Sequence, residues 1–106
     1  MNTINKYTFN KIVNNVDSRG WTALHWACYF GNERMVKLLI NNEAELDIKT
    51  EEGLAGDPEY ANKTAKKIAK LKDYKKCSKR IKYCAFKRRL LKILRIGKEA
   101  SENIPK

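Results

Sequence analysis

The chain has 106 residues, 42% of them hydrophobic, and carries 23 Lys and Arg against 12 Asp and Glu, a net charge of +11. That length holds one domain, no stretch approaches the roughly 18 apolar residues of a membrane span, and the N-terminus lacks the long apolar core of a secretory signal. Three cysteines, an odd number, argue against a disulfide framework and suit small core residues in a reducing, intracellular compartment, cytoplasm or nucleus with an organelle left open.

Ile4, Tyr7, Phe9, Ile12 and Val13 match no complete helix pair, and residues 1–13 read as an N-terminal cap or extension. The next run is the informative one. Thr22 suits the N-cap of a short helix, its hydroxyl taking an orphaned backbone N–H. Ala23, Leu24, Ala27 and Cys28 recur at helical spacing as one buried stripe. Gly31 supplies a left-handed C-cap and Asn32 can cap a second helix. Met35, Val36, Leu38, Leu39 and Ile40 form a second stripe. Two helices joined at Gly31–Asn32 make a hairpin with one apolar face, which has to stack on a neighbour to be buried.

That neighbour is an internal repeat. Asn14, Asp17 and Gly20 return as Asp47, Thr50 and Gly53, 33 positions later. The register then jumps: Thr22, Ala23 and Ala27 return as Thr64, Ala65 and Ala69, 42 positions on, so nine residues, Leu54 to Asn62, are inserted. Their Gly and Pro suit a loop that extends a fingertip. The second pair of helices, Thr64–Leu71 and Tyr74–Ile81, has few large apolar residues, as befits a terminal repeat with a polar outer face.

Gly20-Trp-Thr-Ala-Leu-His-Trp-Ala-Cys-Tyr-Phe-Gly31 and the 33-residue period resemble the ankyrin repeat family. The resemblance spans roughly residues 14–82, and its motif positions are Gly20, Thr22, Ala23, Leu24, His25, Ala27 and Gly31. It implies an all-α fold, a short solenoid of two helix-turn-helix repeats with β-hairpin or loop fingers, here ending in a long basic helix. The expected divisions are repeat 1 at 14–46, repeat 2 at 47–82 with the insertion 54–62, a basic extension at 83–98 closing a single domain 1–98, and a flexible tail at 99–106. Two departures stand out. Glu43 falls where the family has a left-handed glycine, at a cost of about 1 kcal/mol unless Asn42 takes the strained position, and Asn62-Lys63 replaces the usual Gly-x before the second threonine.

The family binds proteins and carries no chemistry of its own, so the resemblance implies a non-enzymatic interaction module with a protein partner and no cofactor, metal or small-molecule substrate. It implies that His25 orders the neighbouring turn by hydrogen bonding, that Trp26 packs in the core, and that Trp21 points to solvent from a finger. Arg19, Tyr29 and Phe30 fall at positions facing the concave binding surface. With Trp21 they are the candidate partner contacts, because Trp, Tyr and Arg are enriched at interface hot spots. A solitary histidine without neighbouring cysteines or carboxylates makes no metal or catalytic site. No phosphate loop, nucleophile elbow or catalytic carboxylate pair is present.

Charge is polarised. Residues 1–62 have a net charge of −3, residues 63–98 of +15 with Asp73 as their one acid, and residues 99–106 of −1. Such a run repels itself unless an anionic partner neutralises it. Acids of the finger, from Glu43 to Glu59, are a partial internal source. From Tyr74 to Ile96 there is no Pro or Gly, which predicts one long helix, or one break near Lys82, ended by Gly97. Cys77, Ile81, Cys84 and Leu91 form a stripe that caps the solenoid. Cys77 and Cys84 stand about 10 Å apart along that helix and cannot bridge.

Tyr83, Phe86, Leu90 and Ile93 or Leu94 form a second stripe without an obvious partner. Lys79, Arg80, Lys82, Lys87, Arg88, Arg89, Lys92 and Arg95 are the candidate contacts to an anionic partner, an acidic protein or RNA, whereas a membrane surface would require the apolar stripe to be free of the solenoid. In the competing reading the chain is a small basic ribonucleoprotein subunit, with Tyr83 and Phe86 stacking on bases and Arg88 and Arg89 on phosphates. Tyr83, Leu90 and Ile96 also approximate the spaced anchors of a basic helix for a calmodulin-like partner. Two repeats are fewer than the roughly three needed for independent stability, which predicts a subunit of a larger assembly or reliance on the capping helix.

Overall fold

The structure is a computed structural model that describes residues 12–102, with the side chains of 12–98. Four α-helices form two stacked hairpins: α1 (Ala23–Tyr29) with α2 (Glu33–Asn41), and α3 (Ala65–Leu71) with α4 (Lys75–Glu102). The second pair repeats the local chemistry of the first. Thr22 and Thr64 are both side-chain N-caps, accepting from the N–H of His25 and of Lys67 at 3.3 Å each. Both first helices end in one bond type, Asn32 N–H to the Ala27 carbonyl at 2.9 Å and Tyr74 N–H to the Ala69 carbonyl at 2.8 Å. The left-handed residue at each turn is Gly31 (φ 68°) and Asp73 (φ 60°), 42 positions apart like the threonines.

α1 packs on α2 and α3, and α4 packs on α2 and α3, so α1 with α3 and α2 with α4 make two layers. Between them lie Leu24, Ala27, Cys28, Val36, Leu39, Ala65, Ile68, Ala69, Cys77 and Ile81, all buried. Alanine and cysteine at so many of these positions let short helices approach closely, which compensates for the shortage of large apolar residues. Ala23, Met35 and Leu38, expected in the two buried stripes, are exposed. A helix of seven to nine residues buries only the side that meets its neighbours, and these three lie off it. Val13 joins the core while Ile12 is exposed; the expectations for Ile4, Tyr7 and Phe9 lie outside the described residues.

The fingers are loops, and no strand forms among the described residues. They are joined by backbone bonds: the N–H groups of Glu51 and Glu52 both donate to the Arg19 carbonyl at 3.0 Å, and Thr50 and Asn62–Lys63 pair at 2.8 and 2.9 Å. Gly20 (φ 76°) and Asn62 (φ 56°) occupy equivalent left-handed positions, so asparagine replaces the family glycine with the next most tolerant residue. A Cβ on Gly20 would stand 2.9 Å from the Glu51 nitrogen, at the crossing of the two loops. Glu43 (φ 65°) takes the strained conformation itself, with Asn42 at φ −107°.

The insertion does not lengthen a fingertip. Leu54 and Asp57 form an isolated bridge, Pro58–Tyr60 is one 3₁₀ turn, and the segment folds back so that Tyr60 is buried. Buried Thr50 anchors it, donating to the Tyr60 carbonyl at 2.5 Å and accepting from the Lys63 N–H at 3.0 Å. At the other end, Gly97 does not terminate α4, which continues to Glu102, so residues 99–102 are helical and not part of a tail. Gly97 has no positive φ and nothing packs against it. A glycine ends a helix when its left-handed conformation is used for capping, and here it is not.

His25 ties α1 to the second finger. Its Nδ1 accepts from the Thr22 N–H at 2.9 Å and its Nε2 donates to the Ile48 carbonyl at 2.8 Å, which requires the neutral Nε2–H tautomer. Burial holds its pKa below the ordinary 6.5, overriding the opposing hydrogen bonds. The unfolded chain therefore takes up this proton first as pH falls, and the stability that His25 supplies, complete above pH 6.5, is lost on acidification below it and through the depressed folded value. The urea midpoint should fall from pH 7.5 to 5, a slope that His25→Gln should flatten.

Candidate functional site: an aromatic face and a basic helix

Five rings cluster where α1 meets the fingers. Trp26 on α1 and Phe30 at its C-cap, four residues apart, stack at 6.0 Å with planes 20° apart. Tyr29 stands edge-on to Phe30 at 5.2 Å and to Tyr60 at 5.4 Å. Lys72 lies 4.6 Å over the Tyr29 ring, a cation–π contact from the second repeat. Phe30 is 68% exposed and Tyr29 half-buried, so the cluster offers an apolar edge to solvent. Arg19 is exposed on the neighbouring loop, its carbonyl already engaged by the second finger.

Trp21 is the correction. The family position implied a solvent-facing indole, but Trp21 is 1% exposed. Its Nε1 donates to the Glu52 carbonyl at 2.7 Å, and its ring meets Trp26 at 4.5 Å, Tyr29 at 5.8 Å and Tyr60 at 6.4 Å. The inserted segment closes over it and makes it a core residue. Trp26, expected in the core, is half-buried and takes part in the exposed stack, with its Nε1 donating to Asp17 Oδ2 at 2.9 Å. Asp17 is pushed up by slight desolvation, but the Trp21 N–H, the Trp26 indole and Arg19 outweigh this and hold its carboxyl below the ordinary value. Trp26 could have been found by its helical spacing with Tyr29 and Phe30. Tyr60, on an insertion without periodicity, left no such signal.

The basic candidates divide into two groups. Arg80 forms an ion pair with Glu33 at 3.1 Å. Arg88 donates through Nη1 to the Ala44 carbonyl at 2.8 Å and through Nη2 to the Ile40 carbonyl at 3.2 Å. It thus ties the last turn of α2, where the helix dipole favours a cation, to Ala44 in the loop that follows. Both arginines are structural ties and not free contacts for an anionic partner. Lys79, Lys82, Lys87, Arg89, Lys92 and Arg95 are exposed. A groove of about 270 Å³ runs between α2 and α4, with Lys37, Arg80, Tyr83 and Lys87 on its walls. Around Arg88 a second groove, of about 440 Å³, brings Glu45 and Asp47 of the finger beside Arg89 and Lys92. That proximity is where the acidic and basic halves meet.

Cys28, Cys77 and Cys84 are all free thiols. Burial, reinforced by the neighbouring Cys77, pushes the Cys28 thiol up to about 12, so it is not a nucleophile at neutral pH. Among the described residues, no three His, Cys, Asp or Glu side chains are grouped to hold a metal ion, and no helix is long and apolar enough to cross a membrane.

The ankyrin repeat family model matches residues 19–51. Three similar proteins are calmodulin-binding transcription activators. CBT of Oryza sativa subsp. japonica is 54% identical over 35 residues, 33% of this chain and 4% of that protein. Activator 6 of Arabidopsis thaliana is 49% identical over 35 residues, again 33% and 4%. Activator 4 of the same plant is 45% identical over 53 residues, 50% of this chain and 5% of that protein. The matches thus span only 4–5% of the length of these relatives. No solved structure matches the chain.

Proposed function

We propose, from the premise that residues 19–51 are an ankyrin repeat, a module that is generally non-enzymatic and protein-binding, that this chain is an interaction module with two docking surfaces. One is the aromatic face of Tyr29 and Phe30, with Trp26 behind them and Arg19 beside them. The other is the basic helix α4, which docks on an acidic partner. The observation that carries the reading is the exposure of Phe30, stacked on Trp26 within an ordered ring cluster. A large aromatic held rigid at the surface loses little conformational entropy on binding, which is what makes such residues hot spots. Trp21 has no part in this surface. The free thiols suit a reducing compartment.

The test is capture from the native source with the full chain as bait, after nuclease treatment, followed by mass spectrometry. A protein partner should survive nuclease and be lost with the Tyr29→Ala, Phe30→Ala double substitution. Loss of every partner on nuclease treatment would show a ribonucleoprotein component instead. An unchanged set of partners with the double variant would remove the aromatic face from the function.

A further inference from the structure

α4 buries one side and shows the other. At about 100° per residue, Cys77, Ile81 and Arg88 fall on the side that meets α2 and α3. There Cys77 and Ile81 are buried, and Arg88 holds the carbonyls of Ile40 and Ala44. Tyr83, Phe86, Leu90, Ile93 and Leu94 fall on the opposite side, 43–68% exposed. They form a stripe about 17 Å long at 1.5 Å per residue. Lys82 and Arg89 flank it on one edge and Lys87 and Lys98 on the other, all four exposed. Residues 75–98 hold no acid that could neutralise these edges.

The aromatic face has the inverse character. Around exposed Phe30, Asp17 accepts from the Trp26 indole at 2.9 Å and Asp57 from the Tyr29 hydroxyl at 3.5 Å. Burial, with Glu59 and Asp57 adding to it, pushes the Tyr60 hydroxyl up, so both acids stand near that ring. Glu52 adjoins them, its carbonyl holding the Trp21 indole. Asp17, Glu52 and Glu59 are exposed. Against these four acids stand Arg19 and Lys72, and Lys72 is engaged over the Tyr29 ring. The ring cluster is thus an apolar surface with an acidic rim, and the α4 stripe an apolar surface with a basic one.

Within one chain the two surfaces stay apart. The rings stand on α1 and the fingers, in the layer of α1 and α3, whereas α4 lies in the layer of α2 and is fixed there by Arg88. Like cannot cover like either: two stripes would bring lysine against lysine, and two ring faces acid against acid. A pair of copies resolves both. We propose that the chain pairs with a second copy of itself, the outward stripe of α4 in each lying on the aromatic face of the other. This rests on the reading that the aromatic face and α4 are docking surfaces, and it names the occupant of both. Every copy gives one helix and one face, so a two-fold pair satisfies all four surfaces and stops at two. The net charge of +11 opposes approach from a distance. At physiological salt, however, charges are screened beyond about 8 Å, so the local pattern decides at contact.

The experiment is sedimentation equilibrium of the full chain at physiological salt. A monomer–dimer equilibrium with a dissociation constant on the order of 10 μM is expected, the scale of a small, transient interface. Lys87→Glu with Lys98→Glu, and separately Glu52→Lys with Glu59→Lys, should each weaken it by about tenfold or more, because each sets like charges against each other. All four changes in one chain exchange both signs and should recover most of the association. A folding defect in either pair could not give that recovery. A mass that stays that of one chain up to about 1 mM overturns the proposal. So does a dimer indifferent to either pair, a combined variant that associates no better than the pairs, or a ladder of larger species, which would mean head-to-tail contact without closure. The underlying reading fails separately, if the Tyr29→Ala, Phe30→Ala variant captures the same partners from the native source as the parent does. A monomeric chain whose capture of a different protein depends on those two rings removes the second copy and leaves that reading standing.

Discussion

Replacing Trp21 with alanine is expected to unfold a large fraction of the molecule at room temperature. The indole is fully enclosed, in contact with three other aromatic rings, and bonded through Nε1 to the Glu52 carbonyl. Truncating a buried Trp costs about 3–5 kcal/mol, and the orphaned carbonyl adds to it. Small domains have roughly 5–15 kcal/mol in total, and a two-repeat chain with a core of alanines and cysteines belongs at the low end. Trp21→Phe keeps most of the ring and loses the hydrogen bond, so its cost should be about 1–3 kcal/mol. Urea unfolding followed by far-ultraviolet circular dichroism measures both. A loss below about 1 kcal/mol for Trp21→Ala, the range of typical surface substitutions, would mean that the indole stands in solvent, and the folded-back insertion would be wrong with it.

The second large effect contrasts two isoleucines on one helix. Ile81 is 2% exposed against α2 and α3, whereas Ile93, twelve residues on, is 58% exposed. Ile81→Ala should destabilise by about 2–5 kcal/mol through lost burial and the cavity left behind. Ile93→Ala should lie within about 0.5 kcal/mol of the parent, and the better helix propensity of alanine pulls toward stabilisation. If both cost the same, α4 does not divide into a core half and a free half. The measurement also bears on stability with so few repeats. The two described hairpins number fewer than the roughly three repeats usually needed, and the buried start of α4 with Arg88 on α2 is a surface on which they close.

Much of this was legible because it rests on short-range chemistry. Thr22 and Thr64 read as N-caps and act as such; Gly31 reads as a left-handed turn and has φ 68°. The absence of Pro and Gly from Tyr74 to Ile96 announced a long helix, unbroken or broken once near Lys82, and it is unbroken. Its end was misread because Gly97 carries the same letter whether it caps a helix or lies within one. Glu43 shows the reverse: the sequence left the strain shared between two residues, and the C-terminal bonds of α2 assign it to Glu43.

The candidate site divides along the same line. Tyr29 and Phe30 could be chosen from local pattern, since their helix is set by its caps and their neighbours by spacing of three and four. Trp21 could not, because its environment comes from Glu52 and Tyr60, 31 and 39 positions away, the second of them on an insertion with no period. Likewise, eight basic residues on one helix looked alike, and Arg80 and Arg88 separate from the rest by meeting Glu33 and the end of α2. The hairpins were legible in the sequence because their caps and stripes depend on residues within a turn or two of each other, and their repetition and the polarity of charge because both are written directly in the order of residue types. The tertiary structure decided which aromatic is buried and which cations are free, because burial and pairing depend on what a loop or helix from far along the chain brings into contact.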